Sequence, residues 1–323
     1  MRRRAFVLAA GALAAAPRLV RAQQAKKLWR VGFANAAATA AARRAIEALE
    51  QGLRDHGYVI GTDVAIEVVS VAGKLERLPQ AMRELAGRKV DVIVATSNPI
   101  VEAARAATRT IPIVMVAATD VVRSGLVRSL SRPGGNVTGL TWDVGVAFVT
   151  KRLQLLKEVA PRISRVGVLW EPPYEEQFRA PTDEAAARLG VGTDWVRISG
   201  RLEDDFASMV RGHCDAFFPH LGPSMAAQRE RVVALASQHR LPSAFPASTA
   251  VEAGGLMSYA PNYFTQLRSA ARFIDRILKG ANPADMPVEQ PTALEFVINL
   301  KTARALGLTI APTVLVRADR VIE

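Results

Sequence analysis

From Trp29 onward, short runs of β-branched and apolar residues alternate with longer stretches whose apolar residues recur every three or four positions. No other feature restricts the fold as much, because strands separated by helices build parallel sheets with helices on both faces. Strands are expected at 29–34, 63–70, 90–95, 111–117 and 136–141. The helices between them are expected at 41–56, with Ile46, Leu49 and Leu53 on one face, at 75–88 and at 100–108. The turn Arg132-Pro133-Gly134-Gly135 introduces the fifth strand. The rhythm then restarts, with helices expected at 144–160, 178–189, 202–211 and 224–239 and strands at 165–170, 193–198, 215–219, 243–245 and 254–259. A chain of 323 residues has room for two cores. Two doubly wound α/β lobes follow, with a boundary near residues 141–146.

The C-terminal part determines how the lobes connect. An amphipathic helix is expected at 263–279, with Leu267, Ala271, Ile274 and Leu278 in line and Gly280 ending it. A proline-punctuated link, 283–291, leads to a strand at 295–300 and a helix at 301–306. This tail is too small for a core of its own and must pack on the lobes already built. The expected division is lobe 1 from 28–142 plus about 260–287, and lobe 2 from 143–259 plus about 288–323. Crossings near Trp142-Asp143, Tyr259-Ala260 and 288–291 would form a hinge.

The first 22 residues differ from everything after them. Arg2, Arg3 and Arg4 precede an apolar run, 5–16, too short to span a bilayer, and Val20-Arg21-Ala22 offers small residues for a signal peptidase. A cleaved export signal, with the mature chain beginning at Gln23, is the expectation; a membrane anchor is the competing reading. Arg3-Arg4-Ala5-Phe6-Val7 is similar to a twin-arginine signal. No cysteine lies near the cleavage point to carry a lipid. No later stretch reaches about 18 uninterrupted apolar residues, so the mature protein is expected to be soluble in the periplasm. Five of the arginines behind the net charge of +12 precede residue 23, and the remaining +7 is spread along the chain rather than clustered, so no nucleic-acid partner is expected.

Catalytic signatures are missing. The chain has no Gly-x-x-x-x-Gly-Lys-Ser/Thr loop, no Gly-x-Gly-x-x-Gly after a strand and no Gly-x-Ser-x-Gly elbow. His56, His213, His220 and His239 lack the spacing of a helical zinc site, and Cys214 is the single cysteine, so neither a metal nor a cofactor is expected. What remains is a set of strand ends, where α/β proteins bind ligands. On the first lobe these are Asn35, Thr96, Ser97, Asn98, Thr119 and Asp120; on the second, Trp170, Glu171, His220, Phe245 and Tyr259. Ser97 and Asn98 would present helix N–H groups and a hydroxyl to a ligand carboxylate, or else simply cap the helix. Asp120 would pair with a ligand ammonium or serve as a solvated helix cap. The rings of Trp170, Phe245 and Tyr259 would stack on a flat ligand or belong to the core.

Several blocks carry a resemblance to a known family. They are Gly52-Leu53-Arg54-Asp55-His56-Gly57-Tyr58-Val59, Leu85-Ala86-Gly87-Arg88-Lys89-Val90-Asp91-Val92-Ile93-Val94 and Ser131-Arg132-Pro133-Gly134-Gly135-Asn136-Val137-Thr138-Gly139. Further blocks are Val251-Glu252-Ala253-Gly254-Gly255-Leu256-Met257-Ser258-Tyr259 and 294–308, around Ile298-Asn299-Leu300-Lys301-Thr302-Ala303. Together they resemble the ABC-transporter substrate-binding proteins of the tryptophan/tyrosine transport type, across nearly all of the mature chain. The resemblance implies a type I periplasmic binding protein fold with three interlobe crossings, a small solute in the cleft, and an inner-membrane permease as partner. A monomer without cofactors is expected. The chain departs from the family at Ala118-Thr119-Asp120-Val121 and Trp170-Glu171-Pro172-Pro173, and its first loop, 35–40, is poor in donors. Other uses of the fold are a periplasmic ligand sensor for a membrane receptor, or an enzyme employing Glu171, His220 or Cys214.

Overall fold

The computed structural model describes residues 27–35, 40–71, 74–143, 145–172, 175–220, 222, 225 and 227–323. The expected export signal lies outside the described residues, as do positions 36–39 of the first loop. The first sheet contains β1 (Trp29–Asn35), β2 (Val64–Ser70), β3 (Val92–Ala95), β4 (Ile113–Ala118) and β5 (Val137–Thr141). Its order is β2-β1-β3-β4-β5, and every pair is parallel. Every residue of β3 is buried, as expected for a central strand covered on both faces. Helices α1 (Ala40–Asp55), α2 (Leu78–Gly87) and α3 (Asn98–Ala107) make the crossovers.

The second lobe is built on β6 (Arg165–Trp170), β7 (Gly192–Arg197), β8 (Ala216–Phe217), β9 (Ala244–Phe245), β10 (Met257–Ala260), β11 (Glu295–Asn299) and β12 (Arg320–Ile322). The ladders β7-β6-β8 and β12-β11-β10-β9 are joined by a bridge between Phe217 and Ser243. Its helices are α4 (Gly145–Val159), α5 (Glu175–Arg188), α6 (Leu202–Arg211), α7 (Arg229–Gln238) and α8 (Ser248–Glu252). After α9 (Tyr263–Leu278) come α10 (Leu300–Ala305) and α11 (Pro312–Leu315). This sheet is not wholly parallel, because β11 runs antiparallel to β10, pairing Met257 with Ile298 and Tyr259 with Phe296. The short elements α8, α11 and β12 are additions that the sequence reading lacked. With three to five residues each, they are too short to show periodicity.

The C-terminal segments serve both lobes. Helix α9 buries Leu267, Phe273 and Ile274 in the core of β1, β3 and β4, each worth about 1.5–3 kcal/mol relative to exposure. It crosses α1 so closely that a Cβ on Gly52 would collide with the Arg268 backbone oxygen. Farther on, Thr138 Oγ1 donates to the Met286 carbonyl at 2.7 Å, Glu289 N–H donates to Gly139 O, and Thr141 N–H donates to Glu289 O. Residues 286–289 therefore extend the first sheet beyond β5, after which the chain enters β11 of the second. The described chain passes between the sheets after β5, after β10 and after Glu289.

Candidate functional site

The C-terminal ends of the parallel strands of both sheets lie toward the crossings, where an open α/β sheet offers a ligand crevice. On the first lobe, Thr96 is buried and donates its hydroxyl to the Ala34 carbonyl at 3.1 Å, tying the end of β3 to the end of β1. Ser97 follows in extended conformation and precedes α3, with Pro99 in the first turn, where its missing N–H costs nothing. The expected cap is not formed. Ser97 makes no side-chain capping bond, and Asn98 is already helical. Its amide forms a two-way clamp instead: Nδ2 donates to Thr119 O at 2.7 Å, and Thr119 N–H donates to Oδ1 at 2.8 Å. The clamp fixes the β4 loop against α3. Among the described residues it leaves the N–H groups that open α3 without a capping side chain, at the positive end of the helix.

Asp120 stands in the left-handed region at φ 51°. Its N–H donates to Asp143 Oδ1 at 2.7 Å, and its carboxylate accepts from Arg123 Nε at 2.6 Å. Asp120 thus already carries a counter-ion from its own loop, which weakens its candidacy for a ligand ammonium. Asp143 has its pKa raised chiefly by burial, an effect opposed by bonds from the Asp120 N–H, the Thr141 hydroxyl and the Val121 N–H. Asn35 is half-buried at the end of β1.

On the second lobe, Trp170 ends β6, and Arg197 stands 5.9 Å from its ring centroid. Glu171 reaches across to the next strand end, where a Cβ on Gly222 would strike its carboxylate. Tyr259 is half-buried, stacked on Phe148 at 5.5 Å and edge-on to Phe296 at 6.4 Å. Two expected contacts turn out to be core. Phe245 is 2% exposed and packs edge-on against Phe217 among the residues under α6 and α7. His220 is 5% exposed and sandwiched between Phe178 and Trp195, 5.3 and 5.4 Å away. Behind it lies the fully buried Arg152, which donates from Nη2 to Pro219 O at 2.8 Å and stacks on Phe218. Burial, helped by the Arg152 charge, pushes the His220 pKa down to about 3, and burial lowers that of Arg152 to about 9. A strand end fixes how far along the sheet a residue sits, and leaves open which face its side chain takes.

The structure also brings forward residues that the strand-end reading missed. Arg229 opens α7, half-buried, and donates from Nη1 to Thr249 Oγ1 at 2.6 Å. It forms no ion pair with a carboxylate among the described residues. Tyr263 opens α9, and burial raises its phenol to about 12, opposed by a hydrogen bond with Thr96 and by the charge of Arg229. Tyr263 of the crossing is thus tied to Thr96 of the first lobe and lies within electrostatic reach of Arg229 of the second. The available sequence signal was a basic residue at the positive end of a helix, where the backbone dipole disfavours it. A second interlobe link joins Arg44 of α1 to Glu252 of α8 at 2.7 Å.

Residues 31–322 match the family model described as ABC transporter substrate binding protein. A tyrosine-binding protein of Clostridioides difficile (strain R20291) is 27% identical over 262 residues, covering 80% of this chain and 75% of the relative. Among solved structures, an ABC domain in complex with L-Trp from Streptococcus pneumonia superposes with a TM-score of 0.82 at 25% identity, covering 92% of this chain and 100% of the other. The ligand-free, open structure of a substrate-binding protein with adhesive properties from Clostridium difficile gives a TM-score of 0.68, also at 25% identity, covering 92% and 99%.

Proposed function

The chain belongs to the family of ABC transporter substrate-binding proteins, with the two-lobed fold of type I periplasmic binding proteins, and from that premise we propose that it is an exported solute receptor. It captures a small aromatic or amino-acid-like carboxylate between the lobes and delivers it to an inner-membrane permease. The observation that carries this reading is the uncapped start of α3 with the Ser97 hydroxyl, on the wall where Thr96 bonds to Tyr263 within electrostatic reach of Arg229 of the second lobe. Backbone N–H groups at a helix start, backed by the macrodipole, are suited to a carboxylate. Half-buried Trp170 and Tyr259 offer ring faces for the rest of the solute.

Closure about the crossings accompanies binding in this proposal. The present conformation, linked across the lobes by Arg44 and Glu252, is closer to the L-Trp complex than to the ligand-free open relative, with TM-scores of 0.82 and 0.68. Contacts from both lobes favour the closed state by their differential binding energy. Export through residues 1–22 places the receptor in the periplasm. No described helix is long and apolar enough to cross a membrane. Chemistry at His220 or Cys214 finds no support: burial pushes the imidazole down to about 3, and burial with neighbouring Asp194 pushes the thiol up to about 12. Neither is poised as a base or nucleophile near neutral pH.

A thermal-shift screen of the mature chain tests the proposal, using amino acids, aromatic acids, their amides and sugars. A solute at 100 times its dissociation constant is expected to add about 2.7 kcal/mol of stability. Stabilisation by no member, or chemical turnover of a member, would overturn it.

A further inference from the structure

We propose that Arg229 is the ligand's charge partner: its guanidinium receives an organic carboxylate that the start of α3 holds from the opposite lobe, so that the carboxylate itself bridges the cleft. The inference rests on the solute-receptor reading above and names the chemical group that the site requires.

A guanidinium has five N–H donors, and the described contacts of Arg229 use one of them, on the Thr249 hydroxyl. Two acids lie near enough to act on its charge, Glu230 and Glu252. Neither is its ion-pair partner. Glu252 is shared between Arg44 and Arg320, each 2.7 Å away, and Glu230 is exposed one residue along the chain. The Tyr263 phenol beside it is neutral at physiological pH. A cation half-removed from water without an anion is costly, and the cost disappears when an anion arrives.

The position of Arg229 makes it selective for anions that also touch the first lobe. Tyr263, which feels the Arg229 charge, is hydrogen-bonded to Thr96, the residue before Ser97 and the uncapped first turn of α3. In this arrangement two donor sets of different origin, a guanidinium and a helix start with a serine hydroxyl, act on the carboxylate from opposite walls. A planar carboxylate with two oxygens can meet both, and the fork of Arg suits it. A primary amide of the same skeleton keeps the shape and loses the charge.

The test compares acid and amide pairs: L-tyrosine, L-tryptophan, 4-hydroxyphenylacetate and indole-3-acetate, each with its primary amide, by thermal shift and calorimetry. The expected result is that at least one acid binds and its amide binds at least about tenfold more weakly, as for loss of a hydrogen bond to a charged group. For that acid, Arg229→Gln is expected to weaken affinity about 10- to 100-fold, with Arg229→Lys between it and the parent. The unliganded Arg229→Gln protein should melt no lower than the parent, since an uncompensated cation has been removed. Equal affinity for acid and amide would overturn the inference, as would unchanged affinity in Arg229→Gln. A lower unliganded melting temperature with unchanged affinity would assign Arg229 to holding Thr249. If Arg229→Gln fails to fold, the acid and amide pairs on the parent protein and Arg229→Lys still decide. Binding of amides or sugars but no acid would overturn this inference and leave the solute-receptor reading intact; binding of nothing would sink both.

Discussion

Lowering the pH should unlock the second lobe through His220, and the effect can be worked from its surroundings. The imidazole is 5% exposed between Phe178 and Trp195, lies near the charge of the buried Arg152, and has no hydrogen-bond partner at Nε2 among the described residues. Its pKa falls from 6.5 to about 3, first through burial and then through the Arg152 charge. Between those values the unfolded chain binds a proton that the folded chain refuses. Stability therefore rises with pH across this interval, is fully present above about 6.5, and is lost as pH falls toward 3. At its steepest the slope is about 1.4 kcal/mol per pH unit, and the loss from pH 6.5 to 4.5 is about 2–3 kcal/mol. That is a large part of an ordinary folding free energy of about 5–15 kcal/mol. Urea midpoints at pH 7.5, 6.5, 5.5 and 4.5 would be measured for the parent and for His220→Phe, which keeps an aromatic ring in the stack. Subtracting one series from the other removes the contribution of carboxylates common to both. The difference should grow in favour of His220→Phe as pH falls. Parallel curves would refute the reasoning, by showing that His220 either protonates freely in the native state or is not held in the core.

Two further perturbations separate binding from folding. Ser97→Ala should weaken solute affinity about tenfold, for a hydrogen bond of about 1.5 kcal/mol, and leave the melting temperature unchanged because no capping bond is present. Asn98→Ala should lower stability by about 1–3 kcal/mol through loss of the Thr119 clamp; an unchanged urea midpoint would count against the clamp. Arg44→Gln and Glu252→Gln remove a partly exposed interlobe pair worth about 0.2–1 kcal/mol, which should weaken affinity about 1.4- to 5-fold by disfavouring the closed state. A double-mutant cycle by calorimetry checks this, and strictly additive effects would show that the pair does not support closure.

The periodicity of 29–141 identified β1 to β5 and the helices between them, because burial of a strand on two faces or a helix on one leaves a period in the sequence. The apolar line Leu267, Ala271, Ile274 and Leu278 likewise announced α9 and its buried face. Nothing in that line named α1 as the partner, which is set by the close crossing at Gly52. The antiparallel course of β11 was also illegible, since alternation does not record the direction from which a strand enters a sheet.

The candidate site shows the same division. Strand-end position by itself led to Thr96, Ser97, Asn98, Thr119 and Asp120, and the structure ties Asn98 to Thr119 in one wall. The same rule led to His220 and Phe245, which the tertiary structure turns into the core. Sequence fixes local conformation and the burial pattern along one element, because those depend on neighbours a few residues apart. Contacts such as Asp120 with Asp143, Arg44 with Glu252, and Thr96 with Tyr263 beside Arg229 depend on where separate elements come to rest. Only packing of the whole chain decides which charges find an opposite charge among the described residues and which, like Arg229, find a hydroxyl instead.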